Sequence, residues 1–310
     1  MRKCFLSVIF LTILASLSAS SEDSCNLVLF DIQEPNFALN KKPDYEIKGI
    51  EVIGNFGAYY ADKQHAAFYN GMPSNINNIN YVFDNYYWRE QIKELMRSNL
   101  NRDSVLLSPD SYPENMKYTL AMYVGFGVRY NYSSAWALNI QFNVCKLTAK
   151  DVFTLQVFPA FDNESKSYVN YGVFGKESRT IIDIGAVKTF RTKEHIRPIL
   201  EFGASFNNTL VKENFIVVED QKFNIIDIYA GRNYIPNSNV QEYEMRQGGL
   251  GVGLYVGGGV KWMFNQFLSL ETTLTVYSSM INLENYAGMG LHFAPMFRIV
   301  ASPALFINND

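Results

Sequence analysis

The histidines and glycine-rich stretches of this chain lack the spacings that metal or phosphate chemistry requires. The histidines are His65, His195 and His292, and none stands at ligand spacing from another histidine or from a cysteine. Zinc sites draw on such closely spaced ligands. The glycines between 249 and 259 precede no helical pattern, so they do not form a phosphate-binding loop. We therefore expect no metal and no cofactor.

One serine, one histidine and one acid have residue types suited to hydrolysis. In such a trio His292 would take a proton from Ser302, and Glu284 would orient the imidazole. Serines and acids are common enough to supply this combination by chance. We therefore expect His292 to be a hydrogen-bonded wall residue and the protein not to be an enzyme. The alternative is a lipid-modifying or hydrolytic enzyme.

The dominant feature is a series of long segments in which apolar residues alternate with polar or small ones. The clearest runs from Met116 to Tyr132. A period of two predicts an extended strand with two distinct faces. A tilted strand that crosses a bilayer needs roughly 9–11 residues, apolar outward and polar or small inward. The chain is 48% hydrophobic with a mean hydropathy of only −0.08, and aromatic residues make up 15%. We predict an all-β protein, a closed antiparallel transmembrane β-barrel.

The pattern predicts eight strands. Their connections are short at 131–134, 191–194 and 264–267, and longer at 61–115, 162–178, 209–247 and 281–286. Outer-membrane barrels show this alternation of short periplasmic turns with longer extracellular loops. The predicted strands are 49–60, 116–131, 135 to about 161, 179–190, 195–208, 248–264, 267–280 and 287–306.

The third strand contains an irregularity. Its apolar parity reverses near 146–151, where Phe153, Leu155 and Val157 take over from the preceding even-numbered residues. A bulge keeps one strand running to about Phe161, whereas a turn adds a strand. We favour the bulge because bacterial single-chain barrels have even strand numbers. Ten strands is the alternative count.

Charged residues recur at inward positions of the predicted barrel. An eight-stranded barrel is just wide enough for side chains to fill it, and charges sealed inside must pair. We predict a salt-bridged plug, and a narrow polar pore is the alternative. The four acids and four bases of this barrel-interior charge network are Glu51, Asp183, Glu201, Glu271, Arg129, Arg197, Lys261 and Arg298.

The N-terminus predicts export. Met1-Arg2-Lys3 is followed by an apolar stretch to Leu17 and by small residues, so we assign 1–20 to a cleaved signal peptide. Residues 21–47 form a periplasmic N-terminal tail, and 48–310 form the barrel with inserted loops 61–115 and 209–247. We expect Cys25 and Cys145 to be unpaired thiols. The net charge of −3 gives no indication of nucleic-acid binding.

The insertion 61–115 is too long for a plain connector. Within it, the segment after Asp84 and Asn85 predicts a short amphipathic helix that either residue could cap. The insertion forms either a cap folded over the barrel mouth or a docking surface for a partner, and both roles are compatible. The candidate partner-binding residues are Phe68, Tyr69, Trp88, Ile92 and Leu95.

With these features the chain resembles small Gram-negative outer-membrane β-barrel proteins over about residues 48–306. The OmpX-like and PorT-like barrel domains are closest in architecture. The resemblance implies a location in the outer membrane, contact with its lipid, and a non-enzymatic accessory or structural role. A PorT-like role implies secretion or outer-membrane assembly. We expect an envelope protein partner that binds through the long loops.

Overall fold

A computed structural model describes residues 49–108, 111–159, 165–190, 195–229, 231–232, 234–238, 242–243, 245–265 and 267–303. The predicted signal peptide, the N-terminal tail, Cys25, the turn 191–194 and the last residues of the final strand lie outside these ranges. Among the described residues, no helix has the length and apolar character needed to cross a bilayer.

The described residues form eleven strands and a few short helices. The strands are β1 (Gly49–Tyr59), β2 (Arg102–Leu106), β3 (Lys117–Tyr118), β4 (Ala121–Asn131), β5 (Trp136–Pro159), β6 (Ser167–Thr189), β7 (Ile196–Val218), β8 (Gln221–Asn224), β9 (Gly248–Met263), β10 (Leu268–Ile281) and β11 (Gly288–Ala301). The α-helices are α1 (Lys63–Ala66), α2 (Asn80–Asp84) and α3 (Tyr86–Leu100), and a 3₁₀ turn covers Ala67–Tyr69.

Eight long strands close into a ring. The antiparallel pairings run β1–β4–β5–β6–β7–β9–β10–β11 and return to β1, where Val52 pairs with Ala301. Closure gives every strand of the ring two neighbours and leaves no open edge. The prediction of a closed, eight-stranded antiparallel barrel is confirmed.

An apolar belt surrounds the barrel. Outward side chains such as Phe126 and Leu250 are 62% and 74% exposed, whereas the inward Ile53 is fully buried. On β5 the outward residues remain apolar from Trp136 to Val144. Nine residues at the usual strand tilt span about 25 Å, the height of the apolar band of a membrane barrel. A surface this apolar requires a lipid environment.

Three strands, β5, β6 and β7, continue beyond the belt, by about 33 Å on β7 and about 50 Å on β5. The pairing of β5 with β6 keeps one register from Trp136–Lys188 to Val157–Ser167, so the predicted bulge at 146–150 is wrong. Odd-numbered residues of β5 face inward throughout, and Phe153, Leu155 and Val157 are fully buried. The apolar parity reverses because the outer face meets lipid in the belt and water beyond it.

The same extension corrects two predicted loops. Strand β6 begins at Ser167, so most of 162–178 is strand, and β7 continues to Val218 inside the predicted loop 209–247. The only register shift between these two strands lies near Lys176 and Glu177, where β7 contains the extra residue Lys212. The sequence prediction recognises barrel strands by polar residues at inward positions. These inward polar residues end where the strands leave the belt, so the sequence predicts the extensions of β6 and β7 to be loops.

The insertion 61–115 packs against the inner face of the extended strands. We call this insertion, together with the parts of β5 to β8 beyond the belt, the cap. Helix α3 occurs where the sequence predicted it, and the Asn85 side chain caps it by accepting hydrogen bonds from the amides of Tyr87 and Trp88 at 3.0 and 3.2 Å. The buried core of the cap includes Phe68, Ile79, Val82, Ile92, Met96, Phe153, Leu155, Val173 and Ile216.

Candidate functional site

The lumen contains a layer of buried ion pairs near the end with the short turns. Arg129 faces Glu271 in a bidentate pair, with nitrogen–oxygen distances of 2.5 and 2.9 Å. Lys261 lies 3.1 Å from Glu51 and 3.7 Å from Glu271, so it bridges the two carboxylates. The inward parity of β1, β4, β9 and β10 brings these four residues together.

A second bidentate pair completes the layer. The guanidinium of Arg298 donates to both carboxylate oxygens of Glu201 at 2.6 and 2.7 Å, and Thr275 donates to the same carboxylate at 3.0 Å. Both charged side chains are 1% exposed. Three carboxylates thus balance three bases in this layer, which removes the cost of isolated buried charges.

The last two members of the predicted network have other surroundings. Asp183 accepts hydrogen bonds from Tyr277 at 3.0 Å and from Asn143 at 3.4 Å, so its described hydrogen-bond partners are neutral. Arg197 is buried and is the strand neighbour of Lys261. The structure therefore places all eight predicted residues in the lumen, and six of them form the two groups of ion pairs described above.

The interior glycines do not leave an open channel at the ion-pair layer. A methyl group added to Gly257 would lie 2.6 Å from a carboxylate oxygen of Glu201. A methyl group added to Gly259 would lie 2.8 Å from the side chain of Thr273. Such distances are shorter than van der Waals contact, so neighbouring side chains already fill the space beside these glycines. This packing favours the plug over the narrow pore.

A further buried ion pair joins the barrel to the cap. Arg179 donates to Glu177 at 2.5 Å, and Tyr118 donates to the same carboxylate at 3.0 Å. Tyr69, from the insertion, also donates to Glu177, at 2.5 Å. Burial and the Glu177 carboxylate raise the pKa of Tyr69 well above its ordinary value, so its phenol remains a donor. The sequence prediction had placed Glu177 in a loop, although its parity continues that of Arg179 and Asp183.

Two histidines lie where the insertion meets the barrel mouth. The rings of His65 and His292 stack at 5.6 Å, and Tyr59 stacks on the other face of His292 at the same distance. The ring of His292 accepts a hydrogen bond from the amide of Asp62 at 3.1 Å. Desolvation lowers the pKa of His65, because burial disfavours its charged form.

The geometry does not assemble the hydrolytic trio. His292 lies near the cap end of β11, and Ser302 follows the other end of the same strand, about 30 Å away at the rise of an extended chain. Glu284 is exposed in the connection between β10 and β11. His292 is instead a fully buried wall residue. Among the described residues, no group of three or more histidine, cysteine or acidic side chains could hold a metal ion. Cys145 is a buried free thiol.

The predicted partner-binding residues pack inside the cap. Phe68, Tyr69 and Ile92 are at most 1% exposed. Leu95 and Trp88 are partly buried against the same core, and the ring of Trp88 stacks on Tyr234 at 5.2 Å. Their contacts are those of a folded cap, which fits the first of the two roles expected of the insertion. A partner-binding role for these five residues stays a prediction.

Apolar side chains are exposed elsewhere on the cap. In one row of the extended sheet, Leu106 and Tyr168 both pair with Gln156, and they are 50% and 65% exposed. Val152, on the same face of β5, is 52% exposed. This face lies beyond the belt, so lipid does not cover it. We call Leu106, Val152 and Tyr168 the outer apolar patch.

Comparisons with known proteins give structural similarities only. No family model matches the chain, and no curated protein matches it. Among solved structures it is similar to neisserial surface protein A (NspA), with 10% identity and a TM-score of 0.34 over 82% of this chain and 97% of that chain. It is also similar to the outer membrane protein OprG from Pseudomonas aeruginosa, with 10% identity and a TM-score of 0.35 over 82% and 94%. A third is Ail, the attachment invasion locus protein of Yersinia pestis, with 9% identity and a TM-score of 0.31 over 82% and 99%. The fold assignment above rests on the strand pairings of this chain itself.

Proposed function

We propose that this protein is a sealed, non-catalytic barrel of a Gram-negative outer membrane that holds its cap outside the cell for a partner in the envelope. The observation that carries the proposal is the continuity of β5, β6 and β7 from the apolar belt into the cap. Because these strands are continuous, they fix the position of the cap relative to the barrel without a flexible linker. The short turns then lie in the periplasm and the cap lies outside.

The filled lumen supports a structural role over transport. Ion pairs at 2.5 to 3.1 Å cross the interior between strands on different sides of the ring. An ion that moved through this layer would have to break pairs that are nearly fully buried. A structural role is favoured over conduction because the buried charges in the lumen pair with one another. It is favoured over catalysis because Ser302, His292 and Glu284 do not come together.

The outer apolar patch supports binding of a partner through the cap. Exposed apolar residues that cluster away from lipid mark interaction sites. We propose a component of secretion or outer-membrane assembly as the partner. The cap is fixed to the membrane, and its hydrophobic core is already buried, so the patch on its outer face remains for a partner. The binding residues proposed are Leu106, Val152 and Tyr168, which the sequence prediction had not selected.

The experiment is purification of the tagged full chain from native membranes in mild detergent, with mass spectrometry of co-purifying proteins. The test variant is Leu106→Ser/Tyr168→Ser. The matched control is Leu100→Ser/Tyr86→Ser, which changes the same residue types at exposed cap positions. We expect a stoichiometric envelope protein with the wild type and the control, and its loss with the test variant. A protein that purifies alone, or a partner retained by all three, would contradict the proposed surface.

A further inference from the structure

Six lysines occupy one side of the barrel at the edge of the apolar belt nearest the cap. We call them the lysine arc. On β5, Lys146 follows the belt residue Val144 on the same face, and Lys150 lies four residues beyond Lys146, also on that face. Lys212 is the extra residue of the β7 bulge. The members of the arc are Lys117, Lys146, Lys150, Lys176, Lys212 and Lys222, and all six are exposed.

Charges within the lysine arc are poorly balanced. Lys117 and Lys150 stand directly opposite each other on paired strands, an arrangement that repulsion destabilises. Among the described residues, Glu213 is the only acid in ion-pair contact with the arc, at 3.0 Å from Lys176 and 2.8 Å from Lys222. These lysines lower the pKa of Glu213, so it stays ionised. Asp151, which follows Lys150 and accepts a hydrogen bond from the amide of Asn115 at 3.0 Å, is a second carboxylate beside the arc. Six ammonium groups still outnumber these carboxylates, so the surface is cationic.

A small concave site lies within the arc. A cavity of about 220 Å³ is lined by Lys212, Glu213, Phe215, Lys222 and Asn224. The ammonium of Lys222 lies 4.0 Å from the centre of the Phe215 ring, and that of Lys176 lies 5.4 Å from it. The Phe215 ring and the Glu213 carboxylate, which both ammonium groups contact, thus hold these two cations side by side.

The opposite side of the barrel differs at the same height. There the outward residues at the strand ends are uncharged, namely Tyr60, Leu250, Met280 and Met289. A general need for solubility at the rim would place charge around the whole ring. The lysines instead form a one-sided arc at the height where the headgroups of a bilayer meet the belt.

We infer that the lysine arc binds the phosphate groups of an anionic lipid of the outer leaflet, whose acyl chains lie along the adjacent belt. This inference rests on the membrane position given under the proposed function. Lysine binds phosphate as a point charge, and the arc offers several such charges within one headgroup. The belt residues below it supply the apolar surface that the chains of the same lipid require.

The test uses the full chain in neutral detergent micelles, titrated with lipid A that carries two phosphates, with native mass spectrometry to count bound lipid. The test variant is Lys146→Gln/Lys150→Gln. The matched control is Lys93→Gln/Lys166→Gln, an equal charge change on the cap. Lys166 lies about 33 Å along the chain from Lys176, the arc member on β6. Each lysine near an anionic surface contributes about a factor of five, so we expect binding about 25-fold weaker in the test variant. The control should bind like the wild type.

A second lipid and a test of folding distinguish the possible reasons for a negative result. Lipid A without phosphates should bind the wild type as weakly as the intact lipid binds the test variant. Equal binding of both lipids, or equal losses in the test and control variants, would overturn the inference. Each preparation is also checked for heat-dependent gel mobility after reconstitution into phosphatidylcholine vesicles. A protein that inserts but shows no phosphate preference contradicts only the lysine arc, whereas a protein that fails to insert contradicts the membrane function itself.

Discussion

Removal of the Glu201 carboxylate should severely destabilise the barrel. Glu201 and Arg298 form two hydrogen bonds at 2.6 and 2.7 Å, with both side chains 1% exposed. Glu201→Ala leaves a buried guanidinium without this partner. Breaking one side of a buried pair costs about 3–5 kcal/mol, mostly because a charge is left uncompensated.

The magnitude can be checked against two other variants. Glu213→Ala removes an exposed carboxylate from Lys176 and Lys222, and exposed pairs contribute only about 0.2–1 kcal/mol. Glu201→Ala/Arg298→Met removes both buried charges, and such apolar replacements are often neutral. The double variant should therefore be more stable than Glu201→Ala alone.

The assay is urea unfolding of the refolded protein in micelles, followed by tryptophan fluorescence and by the fraction of heat-modifiable protein on gels. With Arg298→Met added as a single variant, the wild type, Glu201→Ala, Arg298→Met and the double variant form a cycle that isolates the coupling between Glu201 and Arg298. The reasoning is refuted if Glu201→Ala costs less than about 1 kcal/mol, or if the double variant is no more stable than Glu201→Ala.

Three further predictions follow from the lumen and the cap. In planar bilayers the purified protein should give flat current traces, and discrete ohmic steps would show that the ion-pair layer does not seal the lumen. The pKa of His65 is lowered in the folded cap, so the unfolded chain takes up the proton first. The free energy of unfolding of the cap should therefore be highest above about pH 6.5 and decrease below that pH, by up to about 1.4 kcal/mol per pH unit. Hydrogen exchange should show this slope reduced in His65→Gln, and an unchanged slope would exclude His65 as its source. Asn85→Ala should cost α3 about 1 kcal/mol, seen as faster amide exchange in that helix with the belt strands unaffected; equal exchange in α3 would contradict the capping role.

The barrel could be predicted from the sequence because the outward face of each strand contacts lipid and the inward face contacts the packed lumen. Along most of β4 and β9 the outward residues are large and apolar and the inward ones small or polar, so the sequence predicts both the strands and which residues face outward. The same rule misled beyond Val144, where the outer environment changes from lipid to water. The reversal predicts a bulge in β5, although the register of β5 with β6 does not change.

The candidate site was predictable only in part. The lumen charges stand out because charge is rare on a strand that faces a closed interior. Glu177 was missed because its strand was predicted to begin two residues later. The partners of each charge depend on distances across the ring, as between Glu201 on β7 and Arg298 on β11, and a single sequence contains no information about these. The outer apolar patch was missed because Leu106 and Tyr168 lie on strands β2 and β6 within segments predicted to be loops, and only Val152 lies in a predicted strand.

The central claim is that β5 runs without interruption from the lipid belt into the cap. The measurement that tests it most directly is a spin-label scan of single cysteines from position 138 to 156, in a cysteine-free chain inserted into lipid bilayers. The accessibility of each label to oxygen and to a polar nickel complex reports lipid and water contact. We predict that even positions face outward, with oxygen contact up to Val144 and nickel contact from Lys146 to Thr154, while odd positions other than Asp151 contact neither. A reversal of the exposed parity near 146–151 would contradict this account.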